Sequence, residues 1–135
     1  MIVKIWKGYW TLQNVLDNSD FIFIFGDNDI RVGKGGQAII RGEKNAMGIP
    51  TKKYPGYNLK AYYTDNELSA NKIKIDNAIN NIVYKLKNKS TQYKGIILPE
   101  DGLGTGLADL KNKAPETFTY LNKKIKELEN ICIKL

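Results

Sequence analysis

The sequence of 135 residues contains no histidine and a single cysteine, Cys132. One cysteine cannot form an internal disulfide, and the usual zinc-ligand sets are missing without histidine. The Ser–His–Asp and Cys–His catalytic arrangements are excluded for the same reason. Cys132 lies among apolar residues near the C-terminus, so we predict a packed thiol rather than a reactive one. We predict no cofactor and no metal site; a hard cation on carboxylates is the metal chemistry that composition leaves open.

Long apolar runs are also missing: none reaches the ~18 residues that a membrane-spanning helix needs. Residues 1–7 lack the plan of a signal peptide, so we predict no membrane partner and a cytoplasmic location, bacterial or in a virus-infected cell. The net charge of +7 favours anionic partners, either nucleic acid or a small polyphosphate. No arginine-rich or RNP-like aromatic pattern accompanies the charge, which points mainly to solvated helix faces and loops.

Short apolar segments alternate with helical patterns along the chain. The apolar segments predict strands over residues 2–6, 21–25, 46–51, 59–63, 93–98 and 131–135. Helices are predicted over residues 12–16, with Thr11 as the cap, then 37–41 and 66–87, and finally from Pro115 onward. This alternation predicts an α/β fold, namely a single three-layer α/β/α domain over residues 1–135 with a mixed, mostly parallel sheet.

Two glycine-rich segments each follow one of the most apolar predicted strands. The first is Gly33-Lys34-Gly35-Gly36-Gln37, which comes after Gly26-Asp27-Asn28-Asp29. The second is Gly102-Leu103-Gly104-Thr105-Gly106-Leu107, which comes after Pro99-Glu100-Asp101. Glycines let backbone amides approach an anion, and the start of a helix adds unpaired N–H groups. Ligands of parallel sheets bind at the carboxyl ends of strands, so we expect the two segments to meet at one edge of the sheet.

Neither segment matches a common nucleotide motif. No Ser or Thr follows Lys34 as a Walker A motif requires, and the second segment lacks the spacing of a dinucleotide fingerprint. One interpretation is that the glycines only make tight turns. The other is a diphosphate held between two loops, by the amides of Gly35, Gly36 and Gln37 on one side and of Gly104, Thr105 and Gly106 on the other. Asn28 is then the candidate for a ribose or terminal sugar, and Asp27 and Asp29 either join it or cap the turn.

The order of these motifs resembles that of a macrodomain. Four motifs follow one another along the chain: Lys7-Gly8-x-x-Thr11, an apolar strand ending in Asn28, residues 33–38, and Leu98-Pro99-x-x-Gly102-x-Gly104-x-Gly106-Leu107. Residues 104–110 are similar to the branch that includes the terminal ADP-ribose–protein glycohydrolases. The resemblance covers most of the chain. It implies a three-layer fold that binds ADP-ribose or a related nucleotide, with Gly33, Lys34, Leu103 and Leu107 among the ligand-binding residues.

The chain departs from the family pattern at positions that carry chemistry. Tyr9 replaces an aspartate that often bonds the adenine, and we expect Tyr9 or Trp10 to contact the base instead, by stacking or by an edge contact. Gln37 stands near the aspartate of one hydrolytic class and is no base. Arg41 stands near the lysine of another, and its guanidinium stays protonated. Asp109 comes one residue later than that branch's aspartate. These departures favour binding over hydrolysis.

The leading hypothesis is therefore a protein that binds, and thereby sequesters, an ADP-ribose-like nucleotide or a cyclic nucleotide signal. The first alternative is an ADP-ribosyl hydrolase acting on modified protein, nucleic acid or a phosphorylated ADP-ribose derivative. Its candidate acids or bases are Glu100, Asp101 and Asp109, of which Asp101 and Asp109 are the preferred catalytic residues. The second alternative is a basic nucleic-acid-binding protein, which rests on net charge alone. The sequence carries no prediction of oligomeric state.

Overall fold

Four strands form one parallel sheet in the computed structural model, which describes residues 1–89 and 92–135. The strands are β1 (Ile2–Trp6), β2 (Phe21–Asn28), β3 (Ala46–Lys52) and β4 (Gly95–Pro99), and their order across the sheet is β1-β4-β2-β3. Every pairing between them is parallel. The helices are α1 (Leu12–Asp17), α2 (Leu68–Asn88), α3 (Leu110–Lys113) and α4 (Pro115–Lys134). The predicted α/β class is confirmed.

The central strand β2 is buried on both faces. Ile22 and Ile24 pack in a large cluster with buried residues of α2 and α4. Phe21, Phe23 and Phe25 point to the opposite face and pack with Trp10, Val15 of α1 and Ile40. Five consecutive large apolar residues are stable in a strand only where both faces are covered, as in parallel sheets. The two clusters therefore place helical or turn segments on each side of the sheet.

The sheet is smaller than the sequence predicts. Residues 59–63 begin with a 3-10 turn, Leu59–Ala61, and Tyr62 makes only an isolated antiparallel bridge to Lys52. Residues 131–134 continue α4, because Leu121, Leu128 and Cys132 fall on one buried helical stripe. The expected mixed sheet is thus wrong for the described residues, whose four strands are all parallel.

Several local predictions are confirmed. Thr11 caps α1, and its Oγ1 accepts a hydrogen bond from the Asn14 amide at 3.2 Å. Pro115 occupies the first turn of α4, and the Cys132 thiol is buried, which raises its pKa. The helix predicted after the first glycines is a short 3-10 segment, Gly36–Ile40. Among the described residues, none of the helices combines the length and the apolar character needed to cross a membrane.

Candidate functional site

The two glycine segments meet over the carboxyl end of β2, as expected. A Cβ atom placed on Gly26 would lie 3.7 Å from the Gly104 amide nitrogen. The Gln37 Nε2 donates a hydrogen bond to the Gly102 carbonyl oxygen at 2.9 Å, across 65 residues of sequence. Crossovers return the chain to the same end of a parallel sheet, so distant segments share one edge.

Gln37 fastens this meeting point with three hydrogen bonds. Its side-chain Oε1 accepts from the Gly26 amide at 2.8 Å while its Nε2 reaches Gly102. Its backbone carbonyl accepts from the Trp10 indole Nε1 at 2.9 Å. The side-chain carboxamide therefore bonds within the protein, and only the backbone N–H of Gln37 remains for the predicted phosphate contact. Sequence reasoning missed this role.

Backbone amides on both segments have no acceptor of their own. The amides of Lys34, Gly35, Gly36 and Gln37 donate no hydrogen bond to any described residue, and the same holds for residues 105–107. A Cβ on Gly35, Gly36 or Gly106 would meet no atom within 4 Å, so open space lies beside each of them. Rows of unpaired N–H groups beside open space can bind an anion.

The second segment is held in place by packing of Leu103 and Gly104 against the protein interior. Gly104 has φ +75°, and a Cβ there would lie 3.0 Å from two atoms of Leu110, so both conformation and space require glycine. The Leu103 side chain is 1% exposed and packs in the core, whereas Thr105 and Leu107 are exposed. Of the predicted contacts, Thr105 and Leu107 are exposed to solvent, whereas Leu103 is buried as a whole residue.

The turn before the first segment is closed by its own polar side chains. The Asn28 Nδ2 donates to the Val32 carbonyl oxygen at 2.8 Å. The Arg41 Nε donates to the Gly33 carbonyl oxygen at 2.9 Å. Asn28 therefore caps the turn, and its contact with a sugar stays a prediction.

Asp27 is held between Arg41 and the backbone of β3. Its Oδ1 lies 2.6 Å from the Arg41 Nη2, and both side chains are mostly buried. A Cβ on Gly48 would lie 2.5 Å from the Asp27 Oδ2, so the carboxylate rests where a side chain would otherwise be. The arginine also lies over the Phe25 ring, 5.5 Å from its centroid. The ion pair ties the first glycine segment to β2.

A family model described as a family of unknown function, DUF7831, matches residues 5–124. The chain belongs to the DUF7831 family. The matched residues include both glycine segments, Gln37 and Arg41, so the whole candidate site lies within the family region. No curated protein and no solved structure gives a significant match to the chain.

The remaining carboxylates of this DUF7831 chain are mostly engaged. Asp29 accepts a hydrogen bond from the Tyr63 hydroxyl and lies 2.7 Å from the Lys74 Nζ. Burial and this contact with Asp29 raise the pKa of Tyr63 far above its usual value, so Tyr63 remains a donor. Asp109, at φ +45° before α3, accepts from the Asn112 Nδ2 at 2.7 Å. Asp101 is exposed in the turn after β4.

Tyr9 and Lys52 lie at or just beyond the carboxyl ends of β1 and β3. Tyr9 follows β1 and is 94% exposed, available for stacking but without a pocket around its ring. Lys52 ends β3 and is buried; its ammonium donates to the Gly56 carbonyl oxygen and lies 4.6 Å from the Tyr62 ring centroid. Burial lowers the pKa of Lys52. Sequence reasoning missed Lys52, because nothing in Pro-Thr-Lys-Lys signals that the first lysine is covered.

Proposed function

We propose that this DUF7831 chain binds an ADP-ribose-like nucleotide, with its diphosphate lying across the two glycine segments. The observation that carries the proposal is the Gln37 clasp, which joins both segments at the carboxyl end of β2. It brings two groups of unpaired amides to the same edge of the sheet. Parallel sheets bind phosphates at this edge through such amides.

The fold supports the same proposal. Apolar clusters lie on both faces of a parallel sheet, and the loops at its carboxyl end carry the glycines. Apolar layers on both faces of the sheet are compatible with the three-layer arrangement that the motif order implies, but the four strands are all parallel rather than mixed. Neutral backbone donors suit a diphosphate, since they do not depend on the protonation state of any side chain.

Binding without turnover is the favoured form of this function. A hydrolase needs a carboxylate that is free to activate water or the leaving group near the ribose. Asp27 is held by Arg41, Asp29 by Tyr63 and Lys74, and Asp109 by Asn112. Glu100 accepts a hydrogen bond from the Gly8 amide at 3.2 Å, whereas Asp101 is exposed and makes no hydrogen bond or ion pair with any described residue. The hydrolase alternative therefore rests on Asp101. Because the other candidate carboxylates are engaged, we propose that the chain holds the nucleotide intact and sequesters it.

Calorimetric titration with ADP-ribose tests the proposal, alongside cyclic dinucleotides as a second ligand class. We expect one site per chain with a Kd on the order of micromolar. The variant Gly35→Asp keeps an allowed conformation (φ −81°) and adds a negative charge beside the amides. It should weaken ADP-ribose binding at least ~10-fold, a loss of about 1.4 kcal/mol.

The matched control is Asn122→Asp, which adds the same charge on the exposed face of α4 and should bind like the wild type. Folded wild-type protein that gives no heat with about 1 mM ADP-ribose would contradict the proposal. Equal affinities of Gly35→Asp and wild type would place the nucleotide away from the glycine segments.

A further inference from the structure

A cavity of about 480 Å³ is lined in part by Arg41, and no residue of the two glycine segments lines it. It is bounded by the carboxyl end of β2, the edge strand β3 and helix α2. Its volume lies within the ~300–1,000 Å³ typical of small-molecule pockets. Asp27, Asn28, Asp29 and Arg41 line this cavity, and Gln37 does not.

The lining of the cavity is apolar on one side and polar on another. Met47 and Pro50 of β3 and Ala78 of α2 supply the apolar surface. Asn77 and Asn81 supply the polar wall; they are one turn apart on α2 and therefore share a face. Pockets for organic ligands typically combine an apolar lining with a few convergent polar groups.

The two carboxamides are free to bind a ligand. Asn77 and Asn81 are exposed, and neither makes a hydrogen bond with any described residue, whereas Asn71 and Asn88 on the same helix donate to backbone carbonyls. Each free carboxamide offers a donor and an acceptor side by side. That pairing matches the N6/N7 edge of adenine, while the corresponding edge of guanine presents two acceptors.

The cavity carries two ion pairs and one further cation. Asp27 pairs with Arg41 and Asp29 pairs with Lys74, so these four charges cancel, and the exposed lining residue Arg31 adds one positive charge. The Asp27 Oδ2 makes no hydrogen bond within the described part of the chain and can accept from a ribose hydroxyl. Arg41 also donates to the Gly33 carbonyl oxygen, so this cavity and the first glycine segment share a wall.

We propose that this cavity binds the adenosine end of the nucleotide. Asn77 and Asn81 read the edge of the base, Met47 and Pro50 support its face, and Asp27 accepts a ribose hydroxyl. The inference rests on the proposed function, because a diphosphate on the glycine segments would reach the adenosine past Arg41. It assigns the base to the β3 side of the sheet rather than to Tyr9.

The test compares the double variant Asn77→Ala/Asn81→Ala with Asn80→Ala, an exposed control on the same helix that does not line the cavity. Calorimetry is performed with ADP-ribose, AMP, GMP and pyrophosphate, after circular dichroism has shown that each variant is folded. We expect the double variant to lose at least ~10-fold in affinity for ADP-ribose and AMP, in keeping with bidentate base contacts. Pyrophosphate affinity should not change, and wild type should prefer AMP to GMP.

The outcomes separate the two proposals. If the double variant binds ADP-ribose as tightly as wild type while Gly35→Asp does not, the adenosine assignment is overturned and the diphosphate site stands. If wild type binds AMP in an Asn77- and Asn81-dependent way but binds neither ADP-ribose nor pyrophosphate, the cavity stands and the diphosphate site falls. If AMP and ADP-ribose both fail to bind wild type, the adenosine assignment is overturned.

Discussion

Gln37 connects three parts of the chain through its side chain and its backbone carbonyl group. It therefore contributes to the fold whether or not it contacts a ligand. If its carboxamide is removed, the Gly26 amide and the Gly102 carbonyl both lose a partner in a partly buried place. Unpaired backbone groups of this kind carry a desolvation cost. The residue therefore links the stability of the fold to the shape of the candidate site.

Replacing Gln37 by alanine should lower the free energy of unfolding by about 1–3 kcal/mol, because two backbone groups lose their partners. Urea denaturation followed by circular dichroism measures the change. The control Gln13→Ala removes an exposed carboxamide that bonds only Asp17, and it should stay within about 0.5 kcal/mol of wild type. A Gln37→Ala protein as stable as the control would show that the clasp contributes nothing to the fold.

Gly48 matters through the space that it leaves. In Gly48→Ala the new Cβ would lie 2.5 Å from the Asp27 Oδ2 and 2.6 Å from the Asp27 Cβ, so Asp27 must shift and its ion pair with Arg41 is disturbed. We expect a loss of about 1–3 kcal/mol in unfolding free energy, as for overpacking elsewhere. Gly35→Ala is the matched control, since nothing lies within 4 Å of its Cβ.

Denaturant titration of both glycine variants checks this prediction. Adding Asp27→Gly to Gly48→Ala should restore part of the lost stability, because the Asp27 Cβ, Cγ and Oδ2 atoms that crowd the new Cβ are then all gone. Equal stabilities of Gly48→Ala and Gly35→Ala would mean that Asp27 does not rest on β3 as described.

At the scale of elements, the sequence predicts the strands best where apolar runs are longest. Residues 21–25 and 95–98 are buried on both faces, and their composition alone identifies β2 and β4. Residues 131–135 mislead, because a short apolar stretch suits either a strand or the last turn of a helix. The helix prevails there because Cys132 lies one turn after Leu128 on the buried stripe.

The sequence predicts the location of the candidate site but not its side-chain contacts. The meeting of the two glycine segments follows from topology, since both leave carboxyl ends of strands in one parallel sheet. Topology does not predict three other features of the site: the hydrogen bonds of Gln37, the Asp27–Arg41 ion pair and the cavity beside α2. They depend on side-chain directions across tens of residues, and no local pattern in the sequence encodes those directions.

Asp65 joins two elements, and its titration offers a test at this scale. Its carboxylate precedes α2 and accepts from the Glu116 and Thr117 amides, at 2.9 and 3.0 Å, in the first turn of α4. Burial opposes its ionisation, but these hydrogen bonds and that of the Thr117 hydroxyl together lower the pKa of Asp65. A lowered folded-state pKa means stabilisation that is present above the ordinary value of 3.8 and is lost as pH falls.

We therefore expect Asp65→Asn to be less stable than wild type at pH 7, by about 1–2 kcal/mol for a lost helix cap. The difference should shrink as pH falls below the ordinary carboxyl range and the wild-type carboxylate takes up its proton. Thermal or urea unfolding of both proteins at pH 7, 5, 4 and 3 measures this difference in stability. Asp17→Asn, on the exposed surface of α1, should show no such convergence, and a pH-independent gap for Asp65→Asn would argue against the cap.

At the scale of the whole molecule, the question is what the net charge of +7 does. Several lysines already face carboxylates, including Lys53 with Glu67 and Lys124 with Glu127. A duplex held by scattered lysines displaces many counterions, so its affinity should fall ~10³–10⁵-fold between 50 and 200 mM salt if six to ten phosphates are contacted. A diphosphate held by neutral amides displaces few, which makes salt dependence a property that separates the two functions.

We expect ADP-ribose affinity to fall by less than ~10-fold over that salt range, because at most two phosphates are contacted. Fluorescence anisotropy with a 20-base-pair duplex, run beside ADP-ribose calorimetry at 50, 100 and 200 mM NaCl, compares the two slopes directly. Any duplex binding at low salt should vanish at 200 mM. If it uses the lysines of α2 and α4 rather than Lys34 of the first glycine segment, ADP-ribose should not displace it. Tight duplex binding that persists at 200 mM and excludes ADP-ribose would instead make the glycine edge a nucleic-acid surface, and the positive charge would then be part of the site rather than of the solvated helix faces.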